Sequence, residues 1–163
     1  MMQPPSPQEL FERFVAAKGG ESERGLSARA TENGALVLRY FEMWNTGDGS
    51  IADQVLGSTY LDHAHPEVLG PAALRSLVPR FRAANPGAAM RIEIAAADDD
   101  YVAVRNSISR VVDGEATESE GVALFRVAGD KLVEQWSWYP DAELELAGAA
   151  PPASRDVWLS FRA

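Results

Sequence analysis

Cysteine is missing from the 163-residue chain, which excludes disulfides, thiolate zinc sites, iron–sulfur clusters and a cysteine nucleophile. Histidine is scarce: His63 and His65 are the only two, so any histidine chemistry is confined to one short segment. Positive charge is also short. Lys and Arg number 15 against 24 Asp and Glu, a formal net charge of −9. That balance offers no basic footprint for nucleic acid and none for an anionic membrane surface. No apolar run approaches the ~20 residues of a membrane span. The N-terminal MMQPPSPQEL has neither a basic n-region nor an apolar h-region, which predicts a cytoplasmic rather than a secreted protein. No GxxxxGK or GxGxxG follows a strand, and no serine sits in a GxSxG elbow, so phosphate-loop and acyl-transfer nucleophile chemistry lack support. What remains is globular: 46% hydrophobic residues in a length that suits one domain with a core.

The hydrophobic period divides the chain. Ser6, Pro7 and Glu9 read as a helix start before Leu10, Phe11, Phe14 and Val15, and Gly19-Gly20 stops that run. A second helix is expected from about Ala30 to Asn45, with Leu36, Val37, Tyr40, Phe41 and Trp44 on one stripe and Thr46-Gly47-Asp48-Gly49 ending it. Ser50 with Asp53 predicts a cap for a short third helix ending near Leu56, and Tyr60 to His63 reads as extended. Gly70-Pro71 opens a further helix carrying Leu74, Leu77, Val78 and Phe81, ended by Asn85-Pro86-Gly87. From there the period becomes 2. Strands are expected at 89–97, 101–112, 117–128 and 131–139, with turns at Asp98-Asp99-Asp100, Asp113-Gly114 and Gly129-Asp130. Helices followed by a strand meander predict an α+β fold, a curved sheet wrapped over helices. The expected organisation is an N-terminal helix and linker at 1–28, a central domain at 29–140 and an extension at 141–163. That extension carries the apolar tail Val157, Trp158, Leu159 and Phe161, expected to pack on the domain or a dimer partner, or to lid a pocket.

Four segments, YFEMWNTGDGSIADQVLGSTYLDH, GPAALRSLVPRFRAANP, DDDYVAVR and GVALFRVAGDKLVEQWSWYP, in this order and spacing resemble the SnoaL-like polyketide cyclase family. That family belongs to the nuclear-transport-factor-2-like superfamily, and the resemblance covers about residues 34–140. It implies a cone-shaped, curved antiparallel or mixed sheet enclosing an apolar pocket with the helices. Catalytic groups would project from the long helix, the short strand after it and the inner sheet face. It also implies a homodimer through convex sheet faces, no cofactor and no metal.

By this resemblance His63 falls where ketosteroid isomerases of the superfamily carry a carboxylate base, and its ring can move a proton near neutral pH. A core histidine bonded to backbone is the alternative. Tyr40 stands at the offset of the isomerases' oxyanion-binding tyrosine, although it also belongs to the apolar stripe. The candidate ligand-binding residues are Trp44, Asn106, Phe125, Trp136 and Trp138. Asn106 shares strand parity with Val102, Val104 and Ile108, so a buried amide there needs partners in a ligand or a loop. Trp136 and Trp138 share parity with Leu132 and Glu134, as a pocket wall or as core or dimer interface. Glu134 is a replacement carboxylate if that face points inward. The departures are specific. Ala123 stands where the cyclases carry an acid–base aspartate, and residues 107–112 (SISRVV) lack their histidine. The segment Asp62-His63-Ala64-His65-Pro66-Glu67 suggests a metal only weakly, and none is expected.

The expected function is a cofactor-independent enzyme moving a proton next to a carbonyl of an apolar, polyketide-like molecule: aldol cyclisation, isomerisation or dehydration. A non-catalytic small-molecule-binding or interaction module of the same fold is the alternative. A water-activating hydrolase comes third, because no inner-face carboxylate pair can be placed.

Overall fold

The computed structural model describes residues 27–139. The helix expected near Ser6 and the apolar tail fall outside the described residues. The element order is α1 (Ala28–Thr46), α2 (Ile51–Val55), β1 (Leu56–Asp62), α3 (Gly70–Ala84), β2 (Ala89–Ala97), β3 (Tyr101–Val112), β4 (Glu115–Ala128) and β5 (Lys131–Trp138). The five strands form one sheet in the order β1-β5-β4-β3-β2. β1 runs parallel to β5 and every other pair is antiparallel. The helices lie on one face, as the shift from period 3.6 to period 2 requires.

Local chemistry sets the boundaries. Ser27 caps α1 by accepting the Ala30 N–H at 3.0 Å, and its hydroxyl donates to Asp99 Oδ1 at 2.6 Å. This ties the helix start to the β2–β3 turn. Gly47 ends α1 with φ +77°, a left-handed conformation that costs glycine little. The cap of α2 differs from expectation. Ser50 makes no capping bond of its own; Asp48 Oδ1 accepts from both the Ser50 N–H and its hydroxyl, because a loop carboxylate satisfies turn donors readily. Asp113 and Gly114 both take positive φ and join β3 to β4 as a tight hairpin. Pro79 lies inside α3 and cannot donate to the Arg75 carbonyl one turn back. Gly49 packs against that same carbonyl, and a Cβ there would overlap it.

The core lies between the helices and the inner sheet face. Val37, Tyr40, Phe41 and Trp44 of α1 meet Val102, Val104, Ala123 and Phe125. The rings interlock edge to face: Tyr40 on Phe125 at 5.1 Å and Trp44 on Phe81 at 5.3 Å between centroids. Two register shifts shape the sheet. One lies in β2 between Ile92 and Ile94. The other lies where Arg126 pairs with Glu134 but Val127 pairs with Leu132, leaving Val133 as an extra residue in β5. Such a bulge bends the strand and re-aims the side chains beyond it.

Asn45, in the last turn of α1, acts as a surrogate strand. Its Nδ2 donates to the Met90 carbonyl at 2.8 Å and its Oδ1 accepts the Met90 N–H at 2.7 Å. Removing both bonds strands two backbone groups at the start of β2. Asn45→Ala is therefore expected to cost about 2 kcal/mol, read as a lower urea midpoint at unchanged slope, whereas Thr46→Ala at the exposed neighbour is expected to cost less than half as much.

Candidate active site

The bulge at Val133 decides the face of each β5 side chain. Gln135 pairs with Phe125 and Ser137 with Ala123; all four are buried. Trp136 pairs with Leu124 and Trp138 with Val122, on the opposite face. Leu132, before the bulge, is fully buried in the core. The expected parity of Trp136 and Trp138 with Leu132 is thus corrected: one extra residue moves them from the inner to the outer face. Glu134 goes outward with them and binds Arg126 Nε at 2.6 Å.

His63 goes with the tryptophans. Its ring stacks on Trp136 with centroids 4.6 Å apart and planes 6° apart, and its Nε2 lies 3.8 Å from Glu134 Oε1. Its backbone N–H donates to the Gln135 carbonyl at 2.8 Å, continuing the β1–β5 ladder. Because Asp62 pairs with Gln135, Asp62 is the inward residue and His63, next in the strand, turns to the outer side. The expectation that His63 projects toward the inner face is corrected for that reason.

The inner face holds a different cluster. Asp62 is 8% exposed at the end of β1, and Tyr60, two residues earlier, is fully buried. Tyr60 donates its hydroxyl to Gln135 Oε1 at 2.5 Å. The Tyr40 ring packs edge to face on Trp44 with centroids 6.4 Å apart. Across the sheet, the fully buried Asn106 donates from Nδ2 to the Tyr139 hydroxyl at 2.8 Å. Tyr139 comes directly after β5 and crosses Gly121, which pairs with Asn106. A Cβ on Gly121 would overlap the Tyr139 ring, so glycine there is what admits the ring to the inner face. Phe125 and Trp44 pack beneath as core. Tyr40, Asn106, Trp44 and Phe125 are thus brought to one side, and His63, Trp136 and Trp138 to the other.

Burial and charge set the protonation of the phenols. Burial pushes the phenol of Tyr40 well above its ordinary range, and the nearby Asp62 carboxylate adds to it. Tyr60 is raised first by burial, then by Tyr40 and Asp62. Tyr139 is pushed up to about 12, first by burial, with Asp62 adding and the Asn106 bond opposing. The residue is only half-buried, but its hydroxyl reaches the buried Asn106. The charge of one carboxylate is therefore felt by three phenols that stay protonated at neutral pH, of which Tyr60 already donates to Gln135. Ala123 contributes nothing polar. Among the described residues no three His, Asp or Glu side chains gather to hold a metal ion, and His63 and His65 engage different partners.

Sequence reasoning does not single out Tyr60, Asp62, Gln135 and Tyr139 for this inner-face cluster. Tyr60 and Asp62 share strand parity, a signal that could have found them. Gln135 and Tyr139 are hidden by the bulge.

The raised phenols carry a pH signature. An unfolded tyrosine ionises near pH 10, whereas the folded Tyr139 holds its proton to about 12. Above pH 10 the unfolded state releases a proton that the folded state keeps, so stability is full below pH 10 and falls as pH rises through 12. The urea midpoint is expected to drop between about pH 9.5 and 11.5, and to drop less in Tyr139→Phe.

The chain matches the family model described as SnoaL-like polyketide cyclase over residues 34–147. No curated protein matches it. Solved structures share the fold. One is a SnoaL-like polyketide cyclase from Jannaschia sp. CCS1, 18% identical with a TM-score of 0.63, covering 78% of this chain and 99% of that one. Another is a polyketide cyclase from Bacillus cereus, 22% identical with a TM-score of 0.61, covering 68% and 76%. A third, from Catenulispora acidiphila and described as having a ketosteroid isomerase-like fold, is 16% identical with a TM-score of 0.57, covering 71% and 93%. With a family match over most of its length and a five-stranded sheet curved over helices, the chain belongs to the SnoaL-like polyketide cyclase family.

Proposed function

We propose that the protein is an enzyme of the cyclase or isomerase type that moves a proton next to a carbonyl of an apolar, polyketide-like small molecule, with no cofactor. The observation that carries this reading is the buried Asp62 carboxylate on the same sheet face as Tyr60 and Gln135, close enough for its charge to act on the phenols of Tyr40, Tyr60 and Tyr139. Abstraction of a proton α to a carbonyl needs a positioned general base, a role a carboxylate can fill, and a donor for the oxygen that turns anionic. Asp62 takes the proton; the C–H electron pair becomes the enolate; Tyr40 donates its hydrogen bond to the enolate oxygen. A phenol that keeps its proton at neutral pH supplies that donor throughout. Asn106 and Tyr139 would orient the ligand, and a dry site strengthens each of these interactions.

This assigns the base to Asp62 in place of His63. A second reading, a binding module, has one observation in its favour: Asp62 Oδ1 already accepts the Ala64 N–H at 2.9 Å, as a purely structural aspartate would.

The family resemblance further suggests a homodimer through the outer sheet face, where Trp136 and Trp138 lie. Light scattering giving the mass of two chains would agree, and a monomer would exclude it.

Exchange of the α-protons of 2-tetralone in D2O, monitored by proton NMR, tests the chemistry without knowledge of the natural substrate. Wild type is expected to catalyse the exchange. Asp62→Asn should lower it by about 10²–10⁴-fold and Tyr40→Phe by about 10²–10³-fold, while Trp136→Phe leaves it within a few-fold. Binding of 2-naphthol, an enol mimic, with no exchange would select the binding module.

A further inference from the structure

The turn after β1 brings the second histidine to the candidate base. Asp62 Oδ1 accepts the Ala64 N–H at 2.9 Å, and the Asp62 carbonyl accepts the His65 N–H at 3.0 Å. These bonds fold the chain back on itself, in the manner of an aspartate-capped turn. The result places His65 Nδ1 3.3 Å from Asp62 Oδ2. Both side chains are 11% exposed. The His65 carbonyl accepts the Val68 N–H at 2.8 Å, which holds the ring's backbone from the other side. The two carboxylate oxygens are therefore distinct: Oδ1 is held by the main chain and Oδ2 by an imidazole.

We propose that His65 is a positioning residue for Asp62, its Nδ1–H donating to Oδ2 so that the carboxylate is held in one orientation. The inference rests on Asp62 being the base. Nothing beyond the substrate proton moves. That proton passes from the carbon to a free lone pair of the carboxylate and goes back to a carbon or oxygen of the same molecule; where the carboxylic acid first trades it with solvent, deuterium from D2O returns in its place. His65 neither gains nor loses one. A neutral imidazole with its hydrogen on Nδ1 meets this need, and the bonded carboxylate selects that tautomer. An ionised carboxylate has about four acceptor positions, so the two bonds from Ala64 and His65 leave room for the substrate proton.

Four proteins test this: wild type, Asp62→Asn, His65→Leu and His65→Asn. The assay is 2-tetralone exchange in D2O, with nitrogen-15 NMR of the His65 ring as an independent readout. His65→Leu is expected to lower the maximal exchange rate by up to about 100-fold with little change in KM, the scale set by loss of orientation at a reacting group. His65→Asn, whose amide N–H can stand where Nδ1–H stood, should recover most of that loss. In the wild type the ring nitrogens should report the Nδ1–H tautomer, and Asp62→Asn should shift them. Wild-type exchange in His65→Leu beside an inactive Asp62→Asn would overturn the positioning role and leave the base assignment standing. Full activity in Asp62→Asn, or no exchange by wild type, would overturn the base assignment itself. Equal losses of rate and melting temperature in both His65 variants would reduce His65 to a structural turn residue. Unchanged ring nitrogens in Asp62→Asn would refute the pairing whatever the turnover.

Discussion

One extra residue in β5 governs the rest of this molecule. At Val133 the pairing with β4 slips, and every later side chain of the strand changes face. Gln135 and Ser137 turn to the helices, while Trp136 and Trp138 turn away. The consequence spreads to β1 through the β1–β5 ladder. Asp62 opposes Gln135 and points inward, and His63 is left to stack on Trp136. Which titratable group reaches the inner face is thus decided by a bulge, not by the residue types in the strand.

Polar groups gathered there must satisfy one another, since an unpaired buried donor or acceptor costs on the order of 1–3 kcal/mol. The pairings are direct: Tyr60 with Gln135, Asn106 with Tyr139. Gly121 makes the second possible by leaving space for the Tyr139 ring. Burial also sets protonation. Low polarity and the Asp62 charge favour the neutral phenols, so acceptor and donors coexist at neutral pH. The aromatic packing of Tyr40 against Phe125 holds a donor rigidly at the base of the cluster.

Much of the fold is legible in the chain. The strands at 89–97 and 101–112 lie where alternation places them, because a half-buried sheet imposes period 2 and a register slip would expose its apolar set. The helix of Leu36, Tyr40 and Trp44 and the Asp113-Gly114 turn are local consequences of spacing and backbone freedom. Spacing assigns the cap of α2 to Ser50, and it errs because the acceptor depends on which loop residue, here Asp48, reaches the free N–H. The site is legible in part. Asn106 stands out because a polar atom on an apolar face has to find a partner, and Tyr40 only through the offset that the family resemblance implies. The tryptophans mislead, since strand parity does not carry unbroken through Val133.

By itself the sequence determined the element order, the curved sheet over helices, the family, and the classes of chemistry excluded by the absence of cysteine and the dearth of histidine. These come from period, composition and local conformational preference, each readable over a few neighbouring residues. Only the tertiary structure decided that Asp62 rather than His63 turns to the inner face, that Tyr139 reaches Asn106, and that His65 closes on Asp62 instead of joining His63. Those outcomes depend on strand register and on a turn that reverses the chain, and register is set by pairing between segments more than 70 residues apart, which no local pattern encodes.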